Sequence, residues 1–175
     1  IVCPNNVINT WRKEIESVVP KCKVITGSEA FNAREERVPQ YLVINYDKLN
    51  QSDTYEQIKK LSKLNIDYII LDEIHLAKTF SDYNMSKRRK ALIELLKKTK
   101  KRNPSSKVLG LSATPVVNNL KEGKSLLELM SGMEYSDLNT KATVPNAAAL
   151  YEKFTMNSIR QIPQYKNPKI NYVDV

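Results

Sequence analysis

Two adjacent carboxylates, Asp72 and Glu73, stand directly after an apolar run, Tyr68, Ile69, Ile70 and Leu71, and His75 follows them. A continuous aliphatic run of this length reads as a strand buried on both faces, as in a parallel sheet. In open α/β sheets ligands occupy the crevice outside the carboxyl ends of the strands. The acids are therefore predicted to face a ligand crevice. There Asp72 could hold a Mg²⁺ through its water shell, and Glu73 could take a proton from an attacking water. A second stretch repeats the pattern. Val108, Leu109 and Leu111 end at Ser112, Ala113, Thr114 and Pro115, which places small hydroxyls at another strand's carboxyl edge. Either stretch alone also fits a strand end turned to solvent; the pairing of the two is more specific.

Elements of matching type surround them. Ile1 to Cys3 reads as a strand ending at Pro4, and Asn5 or Asn6 is placed to cap the next helix. Val7, Ile8, Trp11, Ile15, Val18 and Val19 recur at helical spacing and are expected to be its buried face, with Trp11 a core aromatic. Cys22 to Thr26 and Tyr41 to Asn45 read as two further strands, with a polar loop or short helix between them. Asp53 and Glu56 have the spacing of a capping box, opening a helix whose stripe is Ile58, Leu61 and Leu64. Lys87 to Arg102 is a basic amphipathic helix with Ala91, Leu92, Leu95 and Leu96 on its apolar side. Its cations could bind phosphates or simply be a solvated face. A helix from about Leu120 to Met130 should stop at Gly132, and another is expected over Ala147 to Arg160 with Leu150 and Phe154 buried. Alternation of strands and helices argues for a parallel sheet with helical crossovers.

The local strings carry a family likeness. DEIH followed by LSATP resembles motifs II and III of superfamily 2 helicases of the DExH class. IVCPNNVINTWRKEI is similar to motif Ia of SWI/SNF-type ATPases, and YLVINYDKL to motif Ib. AKTFSDYNMSKRRKALIELL and TPVVNNLKEGKSLLELMSG resemble the segments that follow motifs II and III there. The resemblance implies a three-layer RecA-like domain, α/β with a mainly parallel sheet, from an ATP-dependent nucleic-acid translocase or helicase. It implies ATP and Mg²⁺ as cofactors, Asp72 as the metal residue, Glu73 as the base, and His75 linking to Ser112, Ala113 and Thr114. It implies nucleic-acid contacts from Pro4, Asn5, Asn6, Thr10, Asn45, Tyr46, Lys87 and Arg88. The implied partners are double-stranded DNA, or less readily RNA, and a second RecA-like domain. LSATP departs from the GTP-containing motif III common in the SWI/SNF-type branch, which leaves a restriction-enzyme or viral motor open. A non-catalytic nucleic-acid-binding module and a metal-dependent hydrolase using Asp72, Glu73 and His75 are the competing functions.

Composition bounds the rest. The 175 residues carry a formal net charge of +9, which favours an acidic partner such as nucleic acid. Cys3 and Cys22 lie far apart in no metal spacing, as in a reducing compartment, cytoplasmic or nuclear. No apolar run approaches a bilayer span, and no basic-apolar leader is seen. Gly123, Lys124 and Ser125 mimic the end of a phosphate-binding loop, but Asn118 stands where its first glycine belongs. Because Ile1 already reads as strand, the chain is expected to be a piece of a larger protein. Residues 1–132 would be the motor domain without its phosphate loop, 133–162 a terminal helical segment, and 163–175 a linker into the next domain. Such a piece is expected not to hydrolyse ATP by itself.

Overall fold

In the computed structural model, which describes residues 1–77, 85–113 and 119–160, five strands run parallel. They are β1 (Val2–Cys3), β2 (Lys23–Thr26), β3 (Gln40–Asn45), β4 (Tyr68–Asp72) and β5 (Lys107–Leu111), in the order β2-β3-β1-β4-β5. The helices are α1 (Ile8–Val18), α2 (Thr54–Leu61), α3 (Lys87–Arg102), α4 (Leu120–Ser131) and α5 (Val144–Asn157). The register sets Cys3 beside Asn45, Val2 beside Leu71 and Asp72 beside Leu111. Strand ends that follow one another far apart in the chain therefore meet along one rim. The α/β architecture with a parallel sheet agrees with the expected RecA-like domain.

The two-residue period of the strands sorts their side chains into two cores. Val2, Ile44, Ile69 and Leu71 pack with α2 and α3 residues such as Ile58, Leu61, Leu92 and Leu95. Cys3 and Val43 face the other way and pack with Ile15, Ile8 and Trp11 of α1. Helices thus lie on both faces. Cover on the second face is uneven: α1 packs on β2 and β3, while Tyr68 and Leu109 are 67% and 49% exposed. The expectation that the Tyr68 strand is buried on both faces fails on one of them: Ile69 and Leu71 share the buried face under α2 and α3, whereas on the other face Tyr68 is exposed and Ile70 only partly buried. A third small core joins α4 to α5 through Leu127, Tyr135, Leu138 and Leu150, with Phe154 packed against it.

Helix ends follow local chemistry, though not always from the expected residue. Ser86, Asn119 and Thr143 cap α3, α4 and α5 by accepting backbone N–H bonds. Gly132 closes α4 at a positive φ of 69°, where a Cβ would be strained. Neither Asn5 nor Asn6 caps α1. A 3₁₀ turn over Asn5–Val7 intervenes, and Val7 precedes the helix without a side-chain bond. Nor do Asp53 and Glu56 form a capping box. Asp53 instead accepts from Gln57 Nε2, and the Thr54 hydroxyl donates to the Lys48 and Gln51 carbonyls. Val18, expected inside, is 74% exposed. Val19, four residues after Ile15, takes the partly buried place as the helix ends. The last helix starts at Val144, three residues before the expected Ala147. The Gly123-Lys124-Ser125 mimic lies inside α4, where Lys124 donates to the Leu138 carbonyl. The expected linker, 163–175, lies outside the described residues.

Gly110 is where the sheet meets the segment after Asp72. A Cβ there would stand 2.7 Å from Ile74 Cδ1 and 3.0 Å from Met130 Sδ. Ile74 is buried, so little space exists for it to yield. Gly110→Ala is expected to destabilise by about 1–2 kcal/mol through overpacking; an unchanged denaturant midpoint would contradict this packing. Cys3 supplies a second check. Burial pushes its thiol up to about 11, with the Asp72 charge adding a smaller push, whereas Cys22 is only half-buried. At pH 8 the native protein should alkylate at Cys22 well before Cys3, as mapped by peptide mass. The folded thiol is the protonated one, so its contribution to stability is full below the unfolded value of about 9 and is lost as pH rises toward 11.

Candidate nucleotide site and nucleic-acid rim

The carboxyl ends of β1, β3, β4 and β5 bring the expected residues to one edge. Asp72 is the last residue of β4, and Ser112 directly follows β5. His75 sits in a 3₁₀ turn, Ile74–Ala77, that folds back from the acidic pair. Its Nδ1 lies 3.1 Å from Glu73 Oε2 and 3.3 Å from Ser112 Oγ. One ring nitrogen thus stands between the carboxylate and the hydroxyl. With Nδ1 protonated it donates to Glu73; in the other tautomer it accepts from Ser112. His75 therefore stands between the ends of two strands, and Ser112 is a partner that the family resemblance implied. The Glu73 contact was not anticipated. Ala113 is the last described residue of that loop, and Thr114 lies outside the described residues.

Glu73 itself is held at φ 48°. A left-handed conformation at a residue with a Cβ costs of order 1–2 kcal/mol. Such outliers persist where surrounding contacts over-determine them, and they gather at functional sites. Here the contacts are on both sides. The Tyr46 hydroxyl donates to the Asp72 carbonyl at 2.8 Å, and the Leu76 N–H donates to the Glu73 carbonyl at 2.9 Å.

The rim expected to meet nucleic acid divides into two kinds of residue. Asn5, Asn6 and Thr10 are exposed, and Pro4 and Asn45 are partly so. Asn45 Nδ2 donates to Asn5 Oδ1 at 2.7 Å, tying the turn after β1 to the end of β3. Lys87 is exposed at the start of α3. Tyr46 and Arg88 behave differently. Tyr46 is only 2% exposed, so its ring is core and not surface as expected; burial pushes its phenol well above the ordinary range, and the Asp72 charge adds to this. Arg88 lies over that ring at 5.4 Å and donates to Asp47 Oδ1 at 3.0 Å and to the Leu76 carbonyl. Its guanidinium is committed to the fold.

Two site residues escape local pattern. Trp11, expected as a plain core aromatic, donates from Nε1 to Asp72 Oδ2 at 2.8 Å. Arg89 looks like one more surface cation but is 4% exposed. It donates to the Ala77 and Ser125 carbonyls, clamping α3 and α4 around the turn that carries His75. Burial lowers its pKa to about 10, still charged at neutral pH. Only its place on the α3 stripe, three residues before Leu92, hinted at this.

The strain at Glu73 is open to measurement. Its side chain is 42% exposed, so truncation should remove little packing. Glu73→Gly should be more stable than Glu73→Ala by about 0.5–1 kcal/mol, the reverse of the usual order for these residues. Equal or inverted melting temperatures would show that the φ is not held in solution.

Among the described residues no helix is long and apolar enough to cross a membrane. No curated protein matches the sequence. The SNF2-related domain matches over residues 1–150. That match spans most of the chain and includes every residue placed on the rim. The chain therefore belongs to the SNF2-related domain family, an ATP-binding, helicase-like motor family.

Proposed function

We propose that this chain is the first RecA-like part of a nucleic-acid-dependent ATPase that moves along double-stranded DNA. The observation that carries this is the shared rim. Asp72, Glu73, His75 and Ser112 stand at one end of the sheet, and the Asn5–Asn45 pair stands at the ends of the neighbouring strands. A nucleotide at β4 and β5 and a nucleic-acid backbone at β1 and β3 would then share one rigid support. The exposed amides and the Thr10 hydroxyl suit sequence-independent contacts to phosphate oxygens. The net charge of +9 suits an anionic track.

The chemistry follows from the residue types. Asp72 and Glu73 offer hard carboxylate oxygens, which is the donor set that Mg²⁺ prefers. Asp72 would hold the ion, which when bound neutralises charge on the phosphates. Glu73 would take a proton from the water whose oxygen attacks the terminal phosphorus, as the bond to the leaving diphosphate oxygen breaks. His75 orients Glu73 through Nδ1 and carries the state of that carboxylate to Ser112 and the loop after β5. A second RecA-like domain would complete the site from the other side.

In the intact protein Glu73→Gln should lower ATP turnover by about 10²-fold or more, since general-base catalysis is typically worth 10²–10⁴. Nucleotide affinity should change little, because Asp72 remains. Steady-state turnover beside equilibrium nucleotide binding checks both, and unchanged turnover would remove Glu73 from the role of base.

A further inference from the structure

Trp11 lies 61 residues before Asp72 in the chain and yet donates its indole N–H to Asp72 Oδ2 at 2.8 Å. Among the described residues it is the hydrogen-bond donor found on that carboxylate. The backbone of Asp72 is fixed separately. Its carbonyl accepts from the buried Tyr46 hydroxyl, and β4 pairs with β5 through it. The main chain is thus pinned to the sheet, while the carboxylate is pinned to α1.

Helix α1 has two occupations. Its partly buried side chains, Ile8 and Trp11, pack with Cys3, Ile15 and Val43. The 3₁₀ turn before it and its own first turn form the exposed rim of Asn5, Asn6 and Thr10, and Thr10 is the immediate neighbour of Trp11. An indole is rigid, with two side-chain torsions, so a small displacement of α1 must reach the N–H almost undiminished. A hydrogen bond weakens steeply with misalignment. A load on the rim that shifted α1 would then reach Asp72 without any change in the strands.

We propose that Trp11 is a positioning residue that couples the nucleic-acid rim to the metal-binding carboxylate: its N–H sets the orientation of Asp72, and α1 carries the rim's movement to it. This rests on the function proposed above. By linkage the effect is reciprocal, so nucleotide with Mg²⁺ must alter affinity for the track by the same factor as the track alters nucleotide affinity.

The test uses the intact protein, a DNA duplex, and Mg²⁺ with a non-hydrolysable ATP analogue. In the native protein the analogue should change the duplex Kd by about tenfold, within the usual range of coupling. Trp11→Phe keeps the ring but removes the donor. It should bring that ratio to within about twofold while each ligand alone still binds, and it should lower DNA-stimulated kcat more than basal kcat. Trp11→His, which restores a ring N–H, should recover part of the ratio. Arg12→Ala is the control on the same helix, since Arg12 donates to Thr26 Oγ1 and does not touch Asp72; it should keep the full ratio. Full coupling in Trp11→Phe, or equal loss in Arg12→Ala, would overturn the role of Trp11 and leave the motor function standing. Absence of any nucleotide effect in the native protein would instead overturn the motor function, and this inference with it.

Discussion

Every strand among the described residues points the same way, and the site depends on that. Antiparallel pairing would send Asp72 and Ser112 to opposite ends of the sheet. The parallel register instead sets Asp72 beside Leu111 and Cys3 beside Asn45, so each strand delivers its following turn to one rim. Parallel strands must be joined by crossovers, and buried strands need cover. Helices α2 and α3 supply both on one face, and α1 supplies cover on the other. The same constraint creates the ligand crevice and the core that holds it.

A rim assembled from loops needs more than burial to hold its shape. Here buried polar groups act as pins. Tyr46 fixes the Asp72 carbonyl, Trp11 its carboxylate, and Arg89 the turn of His75. A buried cation with its donors unmet would be costly, and Arg89 has two carbonyls in reach. The pins also explain how Glu73 stays at a positive φ: flanking residues on both sides are tied to other elements, so relaxing one torsion would break several bonds.

Much of this was legible in the sequence. Apolar runs placed the five strands and the helical period placed α3, because strands of a parallel sheet read as short continuous apolar stretches and helices repeat near 3.6. Gly132 announced the end of α4, since a left-handed cap favours glycine. What failed was one-to-one partner choice. Asp53 and Glu56 had the spacing of a cap, but Gln57 offered Asp53 another donor. Trp11 looked like any apolar-face aromatic, because no local pattern shows that its N–H meets a carboxylate 61 residues away. The family resemblance put Tyr46 among the nucleic-acid contacts, yet its hydroxyl found an acceptor inside. Hydrogen bonds of long sequence separation are written in the fold and not in the spacing.

The basic helix shows how position decides the value of charge. Of its nine cations, Arg88 and Arg89 are used inside the fold, Lys98 pairs with Glu94, Lys100 donates to the Ser106 carbonyl, and Arg102 lies near Glu35. The C-terminal cations stand beside the start of β5, at the end of the sheet away from Asp72. At 1.5 Å per residue, Lys101 is about 20 Å from Lys87. Arg88 meets Asp47 just after β3, so the start of α3 is the end that stands beside Asn45, and the far cluster does not. The C-terminal cations also complement the helix dipole, so stability alone accounts for them. The four at Lys87 to Lys90 oppose it, each at a cost of up to about 1 kcal/mol. Arg88 and Arg89 recover that in internal bonds. Lys87 and Lys90 have no such return within the described fold, so the start of α3 is where the helix carries uncompensated charge.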